Sequence, residues 1–257
     1  MPLAYLVDVQ GTLLSDTDKS PLPGAKEWID YLNTSKIPYC VITNNTKEPS
    51  EQFLAALHAK GLHIKHYLDP FMVLDKILEN KEVYAFGPDA FKTVLDKKGY
   101  THESSTPRNL LIASDTAFDA EAFAKMIELA SNGVGIVGMH GTSIYAKNGR
   151  KFPGVGAILA LLEYATSQST TVIGKPSQAF YTSALSLLQT QNSALTFKDV
   201  CMISDDAKGD LVGAKALGME TTLVLSGKVK SAREVAPLRA QIDQTRPSIH
   251  AVWKGVA

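Results

Sequence analysis

Leu3-Ala4-Tyr5-Leu6-Val7-Asp8-Val9-Gln10-Gly11-Thr12 is the stretch on which the reading of this chain turns. The apolar run reads as a buried strand, and it delivers Asp8 at its exit, where a turn begins. A strand end fixes the carboxylate, Gly11 lets the backbone approach a bound oxyanion closely, and Thr12 offers a hydroxyl donor. Such an Asp is placed as a nucleophile; the competing reading is a plain turn residue. Three later segments weigh for the nucleophile, because they complete one phosphate site: Thr43-Asn44-Asn45, Gly174-Lys175-Pro176-Ser177, and Ser204-Asp205-Asp206 through Asp210.

Outward from Asp8, strand-like runs alternate with helical patterns, which predicts an α/β fold with a mainly parallel sheet. A helix near 24–34 carries Trp28, Ile29 and Leu32 on one face, and Tyr39-Cys40-Val41-Ile42 is the next strand. A second helix follows Pro49, with Phe53, Leu54 and Leu57 as its stripe and Gly61 as its stop. From about residue 79 the pattern restarts, with strands at 83–86, 109–113 and 135–138, helices at 88–98 and 119–132, and a helix running to about Ala165. Thr171-Val172-Ile173 begins the return, followed by helix 177–190, strand 200–203, helix 209–217 and strand 221–225. The tail from Lys228 is polar and irregular, with a last short element at Ile249 to Trp253. The expected architecture is a doubly wound, Rossmann-like parallel-sheet core with an inserted α/β cap domain. The core takes residues 1–78 and 172–257 and the cap takes 79–171. Ligands of such sheets gather at the carboxyl ends of the strands, and a cap would close over them.

Composition narrows the partners. With 26 basic and 26 acidic residues the formal net charge is zero, so neither nucleic acid nor a membrane surface is expected. No basic segment precedes an apolar stretch at the N-terminus, and the longest apolar run, near Val155 to Leu162, is too short to span a bilayer. Cys40 and Cys201 lie in apolar strand-like runs and read as buried thiols in a reducing compartment. A cytoplasmic enzyme with a small phosphorylated substrate is the expectation, and a homodimer is compatible with it.

Each segment has its chemistry. Asp8 would attack phosphorus in line, which requires the phosphate's charge to be neutralised and its geometry fixed. Thr43 can hold a phosphoryl oxygen, and backbone N–H groups at Asn44 and Asn45 can add donors, although Asn-Asn also suits an ordinary turn. Lys175, between a strand and a helix start, can offset the shared negative charge. Asp205, Asp206 and Asp210, with Asp8, suit a hard, oxygen-liganded ion such as Mg²⁺. His63 and His66 lie in a polar connector and read as solvent-exposed. His140, in Gly138-Met139-His140-Gly141-Thr142 after a cap strand, is a candidate substrate contact.

Taken in order, these segments resemble the haloacid dehalogenase (HAD) superfamily of phosphohydrolases, over nearly the whole chain. The long insert looks like that of the sugar and nitrophenyl phosphatases with a large α/β cap. Leu161-Leu162-Glu163-Tyr164-Ala165 and Gly174-Lys175-Pro176 most resemble the phospholysine phosphohistidine inorganic pyrophosphate phosphatases and their relatives. The resemblance implies Mg²⁺ held by Asp8, the backbone carbonyl of Gln10 and Asp205. Asp210 then binds directly or through water and orients Lys175, while Asp206 points away or caps the following helix. This subfamily usually has Gly where Ser204 stands, a change not expected to affect metal binding. Many sugar-phosphate phosphatases carry Thr-Asn-Pro-Asp near the His140 position, and this chain does not.

Gln10 is the larger departure. The superfamily's second Asp, two residues after the nucleophile, protonates the leaving oxygen and later deprotonates the attacking water. An amide can orient a water but has no titratable proton. General acid–base help is worth roughly 10²–10⁴-fold, or about 3–5 kcal/mol. Three readings follow: a substrate whose leaving group needs little protonation, a slow phosphatase with a lingering aspartyl-phosphate, or a protein that binds phosphate ligands without turning them over. The phospholysine and phosphohistidine phosphatases carry Ser at this position, which favours the first. A dehalogenase fits poorly with Lys175, three Asp and a large cap.

Overall fold

The computed structural model describes residues 2–115, 118–147 and 150–255. In chain order its strands are β1 (Ala4–Asp8), β2 (Tyr39–Ile42), β3 (Tyr67–Leu68), β4 (Val83–Phe86), β5 (Asn109–Ile112), β6 (Gly135–Gly138), β7 (Ile144–Lys147), β8 (Arg150–Pro153), β9 (Thr170–Val172), β10 (Val200–Ser204), β11 (Glu220–Val224) and β12 (Gln244–Arg246). They fall into two compact units. The first comprises Met1–Thr43, Glu51–Leu68 and Gln178–Ala257, and the second Asn44–Ser50 and Asp69–Ser177.

The first unit is built on a six-stranded sheet of order β12-β11-β10-β1-β2-β3, with every pair parallel. β1 is central and buried at all five positions, as a strand covered on both faces requires. Its register sets Val7 beside Ile203 of β10 and Asp8 beside Ile42 of β2, so Asp8 comes out at the carboxyl end of the sheet. Helix Ala25–Thr34 begins after Gly24, which adopts a left-handed φ of 83°, and buries Trp28, Ile29 and Leu32 as its spacing predicts. Burying each such aliphatic side chain is worth about 1.5–3 kcal/mol. Helix Ser50–Ala59 buries Leu57 and packs Phe53 and Leu54 against the same core. Cys40 and Cys201 are buried free thiols, as expected. Burial pushes Cys201 up to about 12, so it stays protonated and inert.

The second unit has a four-stranded parallel sheet of order β4-β5-β6-β9 and an antiparallel β7–β8 hairpin. Helices Asp89–Lys97, Ala120–Ser131 and Val155–Thr166 bury apolar stripes. β9 is the outer strand beside β6, so the chain leaves this sheet only after Val172. One unit is thus doubly wound and the other a smaller α/β sheet, which is the expected fold class. Among the described residues no helix is long and apolar enough to cross a membrane.

Several elements differ from the sequence pattern, among them β3 and the β7–β8 hairpin, which it did not predict. Helix Pro70–Ile77 was not expected; Asp69 caps it, accepting from the Met72 N–H at 3.3 Å, and Pro70 opens it. In place of one helix over 209–217, a wide π-helical turn spans Ala207–Leu211 and only Val212–Ala216 is α-helical. β12 forms from the polar tail because an edge strand of a covered sheet needs little apolar sequence.

Candidate active site

At the carboxyl ends of β1 and β10 the first unit gathers carboxylates. Asp8, Asp205 and Asp210 are all at least 95% buried. Charges cannot be buried without hydrogen bonds or a counterion. The hydrogen bonds come from the surrounding turns. The Asp205 N–H donates to Thr12 Oγ1 at 3.2 Å, tying the β10 end to the turn after Asp8 and leaving the Thr12 hydroxyl proton to be donated elsewhere. The Lys228 N–H donates to Asp205 Oδ2, and the Ser226 hydroxyl donates to the Gly11 carbonyl at 2.7 Å. Gly11, at φ 73°, and Gly227 cross so closely that a Cβ on either would fall within 2.2 Å of Asp205 Oδ2. Burial, then the charge of Asp8, drives the Asp205 carboxyl well above the usual carboxylate range.

Asp206 takes the helix-capping role: its Oδ1 accepts from the Gly209 N–H at 2.8 Å, and its Oδ2 pairs with the Lys228 ammonium. Burial opposes that charge, but Asp206 and Asp205 hold Lys228 above its ordinary value. Ser204, fully buried at the end of β10, donates to Asp210 Oδ2 at 2.6 Å and accepts from the Asp206 N–H at 3.0 Å. The Tyr181 hydroxyl donates to the Asp210 carbonyl at 2.8 Å.

Gln10 is half-buried, and its Oε1 accepts from the Lys19 ammonium at 3.0 Å. Lysine only donates, so this contact assigns the amide oxygen to Lys19 and makes the Gln10 NH₂ the donor end. Lys19 sits at a left-handed φ of 57° in a loop closed by the Ser15 N–H to the Ser20 carbonyl at 2.8 Å. Thr43 ends the first unit, buried, with its N–H on the Leu68 carbonyl at 3.1 Å.

The remaining candidates lie in the second unit. Asn44 spends its side chain on its own surroundings: Oδ1 accepts from the Lys175 N–H at 2.9 Å, and Nδ2 donates to Thr142 Oγ1 at 3.2 Å. Asn45 does likewise, donating to the Glu48 carbonyl at 2.8 Å and accepting from the Lys47 N–H at 3.2 Å. Lys175 is 2% exposed, and its carbonyl accepts from the Gly141 N–H at 2.8 Å. His140 is buried. The Thr142 N–H donates to its Nδ1 at 3.3 Å, so the ring proton is on Nε2 and faces Ser114 Oγ at 3.1 Å. His63 is exposed as expected, but His66 is half-buried against the Tyr39 ring at 5.7 Å.

Sequence reasoning missed the Ser226-Gly227-Lys228 loop and the role of Ser204. The signal for the loop was a Ser-Gly pair directly after a core strand, where a tight backbone approach needs glycine.

The donor set suits a hard cation. Among the described residues no three His, Cys, Asp or Glu side chains converge on one point. Mg²⁺ commonly takes one or two carboxylates and keeps its waters, which Asp8 and Asp205 with the Gln10 carbonyl would satisfy. Burial and the neighbouring Asp8 both raise the Asp205 carboxyl, and a divalent ion bound there would lower the cost of its charge.

Comparison with known proteins agrees with this geometry. A family model described as haloacid dehalogenase-like hydrolase matches residues 5–101, and one described as HAD-hydrolase-like matches residues 172–250. The haloacid dehalogenase-like hydrolase domain-containing protein 2 of Bos taurus is 27% identical over 234 residues, covering 90% of this chain and 87% of its own length. The acid sugar phosphatase of Staphylococcus aureus (strain USA300) is 28% identical over 231 residues, covering 87% of this chain and 86% of its own. A p-nitrophenyl phosphatase from Archaeoglobus fulgidus shares the fold, with a TM-score of 0.82 at 21% identity over 99% of both chains.

Proposed function

Since this chain belongs to the haloacid dehalogenase-like hydrolases, we propose that it is a Mg²⁺-dependent phosphohydrolase acting on a small phosphorylated molecule through an aspartyl-phosphate on Asp8. One observation carries the reading: a buried Asp8 at the exit of the central strand, beside an Asp205 whose carboxyl burial and Asp8 push upward. The resemblance to an acid sugar phosphatase and to p-nitrophenyl phosphatases supports a phosphate ester as substrate class.

The Asp8 carboxylate attacks phosphorus in line, the bond from phosphorus to the leaving oxygen breaks, and that oxygen departs with the electron pair. Gly11, Thr12 and Thr43 supply backbone and hydroxyl donors for the phosphoryl oxygens. Lys175 is the cation this reading assigns to the phosphoryl charge. Gln10 donates a hydrogen bond toward the leaving side but no proton. Water then attacks the acyl phosphate, releasing phosphate and restoring Asp8. Mg²⁺, held by Asp8, the Gln10 carbonyl and Asp205, with Asp210 supporting, would neutralise charge on the phosphoryl oxygens. The catalytic part is assigned to residues 1–78 and 172–257 and the cap to 79–171, with His140 and its neighbours selecting the substrate.

Because Gln10 cannot protonate a leaving group, the favoured substrates need little protonation by the enzyme: pyrophosphate, phosphoramidates such as phospholysine and phosphohistidine already protonated on nitrogen, which leave as the neutral amine or imidazole, or activated esters. Phosphate release with Mg²⁺ from a panel of pyrophosphate, phosphohistidine, imidodiphosphate, aryl phosphates and sugar phosphates tests this. The expected result is turnover of the activated members well ahead of alkyl esters. No Mg²⁺-dependent release from any member would contradict it.

A further inference from the structure

We propose that Ser204 is a positioning residue that holds the Asp210 carboxylate in place for the cation, an inference that rests on the Mg²⁺ reading above. Ser204 ends β10, and its pairing with Leu223 of β11 fixes its backbone in the sheet. It is fully buried, so its hydroxyl has no water to turn to. That hydroxyl has a single proton. The Asp206 N–H donates into the oxygen at 3.0 Å, and the proton goes to Asp210 Oδ2 at 2.6 Å, the length of a charge-assisted bond. One side chain thus closes the acidic turn across six residues, from strand end to wide turn. The Tyr181 hydroxyl on the Asp210 carbonyl fixes the same residue from its backbone.

A carboxylate that accepts such a bond is held in one rotamer, so it need not reorganise when a cation arrives. A glycine or alanine at this position has no hydroxyl and leaves Asp210 Oδ2 without this donor. Partners of this kind typically change metal affinity 10- to 100-fold when removed.

The test is Mg²⁺ titration by calorimetry of the parent, Ser204→Ala, Ser204→Gly and Asp210→Asn, and of Ser204→Ala combined with Asp210→Asn. Thermal melting of each confirms that the protein titrated is folded. Ser204→Ala and Ser204→Gly should each weaken Mg²⁺ by about tenfold or more. In the Asp210→Asn background, Ser204→Ala should cause no further loss, because Ser204 acts through that carboxylate. A merely structural serine would lower the melting temperature but leave the affinity within about twofold, or would add its full loss to Asp210→Asn. Either result overturns the inference and leaves the phosphohydrolase reading standing. A parent that binds no Mg²⁺ at millimolar concentration overturns both.

Discussion

Both parallel sheets end their strands in polar residues, but the two ends are chemically opposite. β1 and β10 deliver Asp8 and Asp205, carboxylates whose burial, and then the charge of Asp8, raises the Asp205 carboxyl. β5 and β6 are followed by Ser114 and His140, a hydroxyl and a neutral imidazole joined at 3.1 Å. Burying like charges is costly unless a counterion joins them, whereas a satisfied neutral network is close to cost-free to keep. The first end is therefore suited to a cationic partner, whereas the second is satisfied by its own hydrogen bonds. The proposed nucleophile belongs to the first unit, and Lys175 and His140 to the second.

The comparison breaks most easily at Gln10. If the first unit lacks only an acid and base, Gln10→Asp should raise turnover on alkyl phosphates by roughly 10²-fold, and much less on aryl phosphates or phosphoramidates. Steady-state rates over a matched leaving-group series check this. Equal gains on every substrate, or none, would mean that the amide does not limit the reaction. A parent already as fast as the Asp variant on alkyl esters would place the proton source elsewhere.

A second prediction separates two adjacent carboxylates. Asp205→Ala should weaken Mg²⁺ binding by more than about tenfold, since it removes a proposed ligand. Asp206→Ala should leave that affinity nearly unchanged and instead lower stability by about 0.5–2 kcal/mol, because it removes the cap on Gly209 and the partner of Lys228. Calorimetric titration and urea melts of both variants decide it; equal effects on Mg²⁺ would erase the distinction.

The smallest effect is expected in the second unit. His140 bonds the Thr142 N–H through Nδ1 and Ser114 Oγ through Nε2, and its assigned role is substrate contact. His140→Gln should raise KM about three- to tenfold and leave kcat and the pH profile unchanged. A lost limb of the pH profile would make His140 an acid–base group and undo the division between the two ends.

What sequence reveals here depends on how local the signal is. Asp8 and the strand before it were legible because a covered central strand must be apolar throughout, and the stripe Trp28, Ile29, Leu32 because helix period and burial coincide. Helix Pro70–Ile77 was overlooked although Asp69-Pro70 is a cap followed by a helix-opening proline. β12, Gln244–Arg246, and the β7–β8 hairpin carry no apolar pattern, since strands so placed gain little from it. In the site, residue types were readable but bonding was not. Asn44 was read as a backbone donor, and nothing local showed that its side chain bonds the Lys175 backbone, 131 positions away in sequence. The Ser226–Lys228 loop matters only because it meets Gly11 in space. Ser204 read as a neutral exchange for glycine until its hydroxyl was seen on Asp210.

The central claim is that Asp8 takes the phosphoryl group during turnover. It is tested most directly by mixing the protein with Mg²⁺ and an aryl phosphate, quenching in acid within milliseconds to seconds, and locating phosphate by peptide mass spectrometry. The account predicts an acid-stable acyl phosphate on Asp8 in the parent that is absent from Asp8→Asn. Phosphate released at full rate by Asp8→Asn, or an adduct on any other residue, would contradict it.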